Sequence, residues 1–363
     1  MVQIRYADRA IAHPVDQMLP HAFRQVVPVF DLRHQPPKTI LPSSSPRRLA
    51  AFGWCAGDQR LIDMTPEQRF SNVQTMMIVK RMSKRSQSAI RAALVAGWVA
   101  GLLCWECKRS LRRVADSKLK RDIRNLAVAG FAAAAMQFFE VPVAAAIATR
   151  AQRQGSGLLR IVPAPERART VAAILLLDYT LYIWHRLTHR IPLLWRFHQV
   201  HHVDREMDAS TALRFHFGEI TLSAAFRAAQ VWVIGPTPAS YALWQTFLFL
   251  CILFHHANIR LPLTWERRVA RILVTPRLHG IHHSVVPEEV NCNWSSGLTV
   301  WDWLHGTLRT RVAQDSIVIG VAGLRNDHDQ ELRNALSLPF RAAAGVTPAV
   351  NSNSREPICA LEA

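Results

Sequence analysis

The sequence predicts an all-α fold: a multi-pass membrane helical bundle with a histidine-rich cap on its cytoplasmic side. Three observations predict it. Half of the 363 residues are hydrophobic, yet the formal net charge is +18. That pairing suits a membrane protein whose cytoplasmic loops collect Lys and Arg. The apolar residues gather in runs of helical length, separated by Gly/Pro breaks and basic loops. Eleven of the sixteen histidines lie between residues 185 and 283, where apolar segments end.

Residues 1–75 are polar and proline-bearing, and read as a disordered N-terminal extension. No signal-peptide core follows Met1, and Met76, Met77 and Met82 are expected as alternative starts. The first apolar segment, 92–105, is short for a span of ~20 residues and must borrow from its flanks. The loop after it carries Lys108, Arg109, Arg112, Arg113, Lys118, Lys120, Arg121 and Arg124. It is expected to face anionic headgroups from the cytoplasm. Segment 125–149 is long enough to span; Pro142 should kink it, and Glu140 needs a partner. Breaks at 155–157 and 163–165 lead to a third segment, 171–184, which carries Asp178 and delivers His185 and His189. Three crossings put the N-terminus on the face opposite the histidines.

Segments 220–234 and 240–254, joined by Gly235-Pro236-Thr237-Pro238, read as a helical hairpin that returns the chain to the same side. The hairpin brings His255 and His256, and the later histidines, beside the earlier ones. Residues 260–311 form a soluble portion, in which 291–306 is expected as a lid or wall over the site. A short helix is expected over 325–338 and a disordered tail over 341–363. The six scattered cysteines make no disulfide framework, and the Cys104-Trp-Glu-Cys107 spacing lacks a βαβ context. Without an aromatic-and-basic recognition motif, nucleic acid is not the partner of this basic chain.

The histidines carry the chemistry. His185 and His189 are four apart; His198, His201 and His202 repeat as His279, His282 and His283. Residues three and four apart share a helix face, and imidazole is a common neutral metal ligand. Eight such imidazoles exceed what one tetrahedral zinc needs. They suit two metals, or one metal in a crowded surround. Soluble di-iron bundles use Glu and Glu-x-x-His, which is absent here. Nitrogen ligands suit iron, copper, nickel or zinc, and spacing does not choose among them. A zinc-dependent membrane hydrolase would need a base such as the Glu of His-Glu-x-x-His, which does not occur. A non-catalytic membrane scaffold or metal transporter is a second alternative; a transporter would place ligands inside its spans, whereas these histidines sit at segment ends, which favours a surface-facing catalytic site.

Several stretches resemble the fatty acid hydroxylase and sterol desaturase superfamily: Asp178-Tyr179 through His185-Arg186, Leu194 through His198, and Thr211 through His216. So do His256-Ala257-Asn258, Thr275 through Ser284, and Trp301-Asp302 with Gly306-Thr307. The resemblance covers roughly 88–340. It implies a membrane-embedded, non-haem enzyme with two iron ions, using O2 and electrons from a ferredoxin or cytochrome-type donor to hydroxylate or desaturate a lipid C–H bond. Expected ligands are His185, His189, His198, His201, His202, His279, His282 and His283, joined by His256. His216 matches the family's Arg-x-His pattern and is expected as a ligand or a neighbour of one. Asp178, Glu219, Asn258 and Asp302 are expected to orient ligands, and His255 and His305 to be bystanders. His305 departs from the aromatic residue the family places before Gly-Thr, and the N-terminal extension lies outside the resemblance.

Overall fold

The structure, a computed structural model, describes residues 89–341 except 91 and 162. The extension expected over 1–75, the methionines at 76, 77 and 82, and the tail beyond Arg341 lie outside the described residues. The helices are α1 (92–108), α2 (Lys118–Ala135), α3 (Val141–Gln154), α4 (Glu166–Arg190), α5 (Pro192–His202) and α6 (Phe217–Ile234). They continue with α7 (Pro238–His256), α8 (Leu263–Ala270), α9 (Pro276–His282), α10 (Val300–Leu304) and α11 (Leu332–Ser337). No strand occurs among the described residues; isolated bridges join Leu273 to Leu298 and Ser284 to Ile319.

Among the described residues, two stretches are long and apolar enough to cross a bilayer, Lys118–Ile161 and Pro238–His256. The first is α2 and α3 run together through a π-helical turn, Met136–Glu140. Pro142, which has no N–H to give, lies two residues past that turn, so the wider π spacing lets the helix resume past it. Glu140, on the same turn, is buried and meets Ser223 Oγ at 3.0 Å and Arg227 Nε at 3.4 Å. Arg227 and Gln230 interrupt the apolar pattern of 220–234, and here they tie helices together. The Arg227 guanidinium lies over the Trp244 ring, and the Gln230 amide donates to the Leu177 carbonyl at 2.9 Å.

α4 packs against α5, α6 and α7. Its Leu177 meets Ala144 and Ala148 of α3, Val231 and Ile234 of α6, and Tyr241 and Trp244 of α7 in one buried core. The hairpin arms α6 and α7 therefore both lean on α4. Their turn uses Gly235 at φ 70°, and Thr237 caps α7 by accepting from the Ser240 N–H. A side chain at Gly235 would collide with the backbone of Ser156 and Gly157, so the two turns at this end touch directly.

At the other end the basic loop turns partly inward, which corrects the expectation that it faces headgroups as a whole. Arg121 is buried and pairs with Glu206 (2.5 Å) and Asp208; Lys118 reaches Asp208 at 2.8 Å. Asn125 donates to Asp204, and the Arg112 guanidinium donates to the Pro276 carbonyl and Gln314. Acids 204–208, directly after the second histidine group, are thus the counter-charges of the loop. Residues Val128, Val200, Val203, Ala335 and Leu338 bury the C-terminal α11 against α2 and α5. The 291–306 segment is a wall lying along α4: Asp178 accepts from the Leu298 N–H (3.0 Å) and the Trp301 indole (2.7 Å).

Candidate metal centre

α4 ends at Arg190 and α5 begins at Pro192, a residue suited to a first helical turn. This corner sets His185 and His189 facing His198 and His202. With His282 of α9 they form one group of five, and His201, His256, His279 and His283 form a second of four. In each group the candidate donor atoms lie within 4.8 Å of one another, and every member is buried. α5 sends His198 and His202, one turn apart, to the first group and His201 to the second. α9 sends His282 to the first and His279 to the second, where His283, the residue capping the end of α9, joins it. The stacked rings of His202 and His283, 4.3 Å between centroids, join the groups.

Hydrogen bonds on the outer side fix several tautomers. The Nδ1 atoms of His185, His282 and His256 lie 2.7, 2.9 and 2.7 Å from the carbonyls of Trp294, Cys292 and Ile252. A carbonyl only accepts, so each Nδ1 carries the hydrogen, and in a neutral ring each Nε2 is a bare lone pair. His185 Nε2 and His282 Nε2 then face each other at 3.1 Å. No hydrogen bond joins two lone pairs, and burial among other imidazoles pushes His282 down to about 3, so a proton does not fill the gap. His256 Nε2 likewise lies 3.0 Å from Nε2 of both His201 and His279. Both nitrogens of His189 and His202, and Nε2 of His198, are buried without a hydrogen-bond partner. Such convergence is costly in a dry interior unless a cation sits among the nitrogens. With metal–nitrogen bonds of about 2.1 Å, ligands at right angles stand about 3.0 Å apart, which is the spacing seen. The donor set fits two metal ions.

Among the residues expected to orient ligands, only Glu219 touches one: its Oε1 accepts from His198 Nδ1 at 2.8 Å. Asp302 acts one step away, accepting from the backbone of Trp294 and Ser295 and so holding the carbonyl that His185 uses. Asp178 braces the wall. Asn258 accepts from the Leu111 and Arg112 N–H groups. Neither meets a histidine of the groups.

His216 stands outside both groups. Its Nδ1 accepts from the Gly218 N–H as the cap of α6, and its Nε2 donates to the Leu336 carbonyl, which leaves no nitrogen for a metal. His255 is buried against the His279 ring, and His305 stacks on Tyr179 and Tyr182. Sequence reasoning passed over Glu106, which accepts from the N–H groups of Ala209 and Asn258 and ties two cap loops to α1. A lone Glu ending an apolar run was the available signal.

The family model for fatty acid hydroxylase matches residues 170–307, the stretch that contributes every histidine of the two groups. Over residues 170–307 the chain is similar to the fatty acid hydroxylase family. Related proteins include ornithine lipid hydroxylase OlsE of Rhizobium tropici, 32% identical over 160 residues, 44% of this chain and 47% of that protein. Alkylglycerol monooxygenase of Xenopus tropicalis is 31% identical over 133 residues, 36% of this chain and 28% of its own. Cholesterol 25-hydroxylase of Homo sapiens is 29% identical over 140 residues, 38% and 50% respectively. The chain thus spans half or less of the length of these fatty acid hydroxylase relatives. No solved structure matches it.

Proposed function

We propose that this protein is a membrane oxidoreductase that inserts one oxygen atom into a C–H bond of a lipid. The observation that carries the reading is the facing pair of lone pairs on His185 and His282, within two buried groups built from imidazole alone. His185, His189, His198, His202 and His282 would hold one iron, and His201, His256, His279 and His283 the other. When bound, the two irons supply dioxygen activation: O2, two electrons and two protons yield the hydroxylated lipid and water. The relatives are named hydroxylases and monooxygenases of ornithine lipid, alkylglycerol and cholesterol. We therefore favour hydroxylation over desaturation, and a lipid with a polar head as substrate. A zinc hydrolase would want a carboxylate base in the donor set, and neither group contains one.

The protein's own residues bind, orient and dry the site. Glu219 and the carbonyls of Trp294, Cys292 and Ile252 hold ligand rings by their outer N–H groups. The 291–306 wall, fastened to Asp178 and Asp302, keeps water from the first group. The reading assigns residues 88–340 to one working domain. In it α1, α2–α3, α4, α6 and α7 cross the bilayer, and the cap faces the cytoplasm, where a ferredoxin or cytochrome-type donor supplies electrons.

The test is expression in a bacterial host with lipid mass spectrometry under isotopically labelled dioxygen. Labelled oxygen appears in a host lipid with the wild type and not with His202→Ala or His282→Ala. A wild type that holds iron and consumes dioxygen, yet leaves every lipid unlabelled, overturns the lipid assignment. A cysteine placed at the exposed Arg113, in the loop after α1, should be labelled from the cytoplasmic side alone; labelling from outside reverses the orientation.

A further inference from the structure

At the end of the bundle away from the histidines, a cavity of about 200 Å³ opens between the α3–α4 connection and the α6–α7 turn. It lies by Thr170, fifteen residues before His185 on α4, so about 22 Å of helix separates it from the candidate metal centre. Four observations converge there. First, Nε and Nη2 of Arg160 are buried with no hydrogen-bond partner. Arg160 is half-buried as a whole, and covered donors without a partner are costly to keep. Second, three hydroxyls gather on one wall: Ser240 Oγ lies 2.7 Å from Thr237 Oγ1 and 3.2 Å from Thr170 Oγ1. Hydroxyls at such spacing can turn their hydrogens toward a common acceptor. Third, α4 and α7 both begin at this cavity, at Glu166 and Pro238, so the positive ends of helices of 25 and 19 residues point toward it. Fourth, the cationic side chains of Arg160 and Arg169 outnumber Glu166 in the lining.

The cavity is rigidly walled, because the contact of Gly157 with Gly235 leaves no room for a side chain between the two turns. Close to Arg160 in the chain, Leu158 and Ile161 are 50% and 75% exposed. We propose that this cavity binds a phosphate group, through Arg160 and Arg169 with the hydroxyls of Thr170, Thr237 and Ser240. The phosphate is either free or the headgroup of a phospholipid whose chains lie along Leu158 and Ile161. The site stands apart from the histidine groups and does not depend on the reading given to them.

The experiment uses the full-length chain, delipidated in mild detergent and unfolded thermally in inorganic phosphate or in chloride at matched ionic strength. Phosphate should raise the wild-type midpoint above that in chloride. Arg160→Gln should weaken phosphate affinity by about tenfold or more. Because Nε and Nη2 of the removed guanidinium had no partner, Arg160→Gln in chloride should unfold no earlier than the wild type. Arg169→Gln should weaken phosphate affinity without abolishing it. Native mass spectrometry of the gently purified protein separates the sources. A phospholipid that co-purifies with the wild type and is lost with Arg160→Gln identifies a headgroup; a phosphate response without bound lipid identifies the free anion. A wild type that neither responds to phosphate nor retains phospholipid overturns the proposal. So does an Arg160→Gln variant with an undiminished phosphate response, or one equally destabilised in phosphate and chloride, which marks Arg160 as structural.

Discussion

Glu219→Ala tests how far a residue outside the two histidine groups governs them. Glu219 and His198 are both buried, and their contact at 2.8 Å is, among the described residues, the one carboxylate bond to a ring of either group. Removing the carboxylate strands the Nδ1–H of His198 in a dry interior and frees its ring to turn. A hydrogen bond to a charged group contributes about 1.5–3 kcal/mol, or about 10- to 150-fold in an equilibrium constant. Partners of metal-bound histidines, when replaced, typically cost about 10- to 100-fold in metal affinity, so the two routes agree. His198 belongs to the first group alone, so the loss should fall on one ion of two. The assay is equilibrium competition with a chelator, read as metal per chain by mass spectrometry, with circular dichroism to establish that the fold persists. Metal content should fall from two toward one at a chelator concentration that leaves the wild type full. Glu219→Gln, which keeps an acceptor oxygen, should lose less. A folded Glu219→Ala with wild-type affinity at both positions would refute the reasoning.

Three further outcomes are expected. Gly280 lies between His279 and His282, and a Cβ there would overlap the Arg112 guanidinium, itself pinned by Pro276 and Gln314. Gly280→Ala should therefore lower stability by about 1–3 kcal/mol and loosen metal retention; an unchanged melting midpoint would show that Arg112 moves freely. Within the bundle, Glu140→Gln or Arg227→Met alone should destabilise by about 3–5 kcal/mol, because each strands a buried charge, while the double variant should recover part of the loss; purely additive losses, measured by unfolding in detergent, contradict the pairing. Burial first, then neighbouring imidazoles, holds His202, His279 and His283 well below the ordinary histidine range and His282 at about 3. These rings are neutral when folded, whereas the unfolded chain takes up protons below about pH 6.5. The metal-free protein should thus be stable above that pH and lose about 1.4 kcal/mol per histidine per pH unit as the pH falls below it; a melting midpoint that is flat from about pH 7.5 to 5.5 contradicts the burial.

Much of this architecture was legible because its punctuation is local. Gly235-Pro236-Thr237-Pro238 marks the α6–α7 turn. Histidines three and four apart announce shared faces. Their division into two groups was not legible, since it depends on how α5 and α9 are rotated against each other, which sends His201 and His202 to different groups. The carbonyls of Trp294, Cys292 and Ile252 carry no sequence signal either, because every residue has one. His216 misled for an instructive reason. A histidine beginning a helix can serve as its cap, and the Arg-x-His pattern is equally satisfied by that duty. Arg227 and Glu140 each look like a flaw in an apolar run, and only their distant pairing explains both.

α9 contributes to both histidine groups, His282 to one and His279 with His283 to the other. On the proposed reading this makes the two irons thermodynamically linked. Whichever ion binds first must draw this short helix in from a distant part of the chain, and the entropy of that loop closure is spent once. The second ion meets a helix already in place. Binding of either ion therefore tightens binding of the other by the same factor, as reciprocity requires. At limiting metal, half-loaded chains are therefore fewer than two independent positions would give.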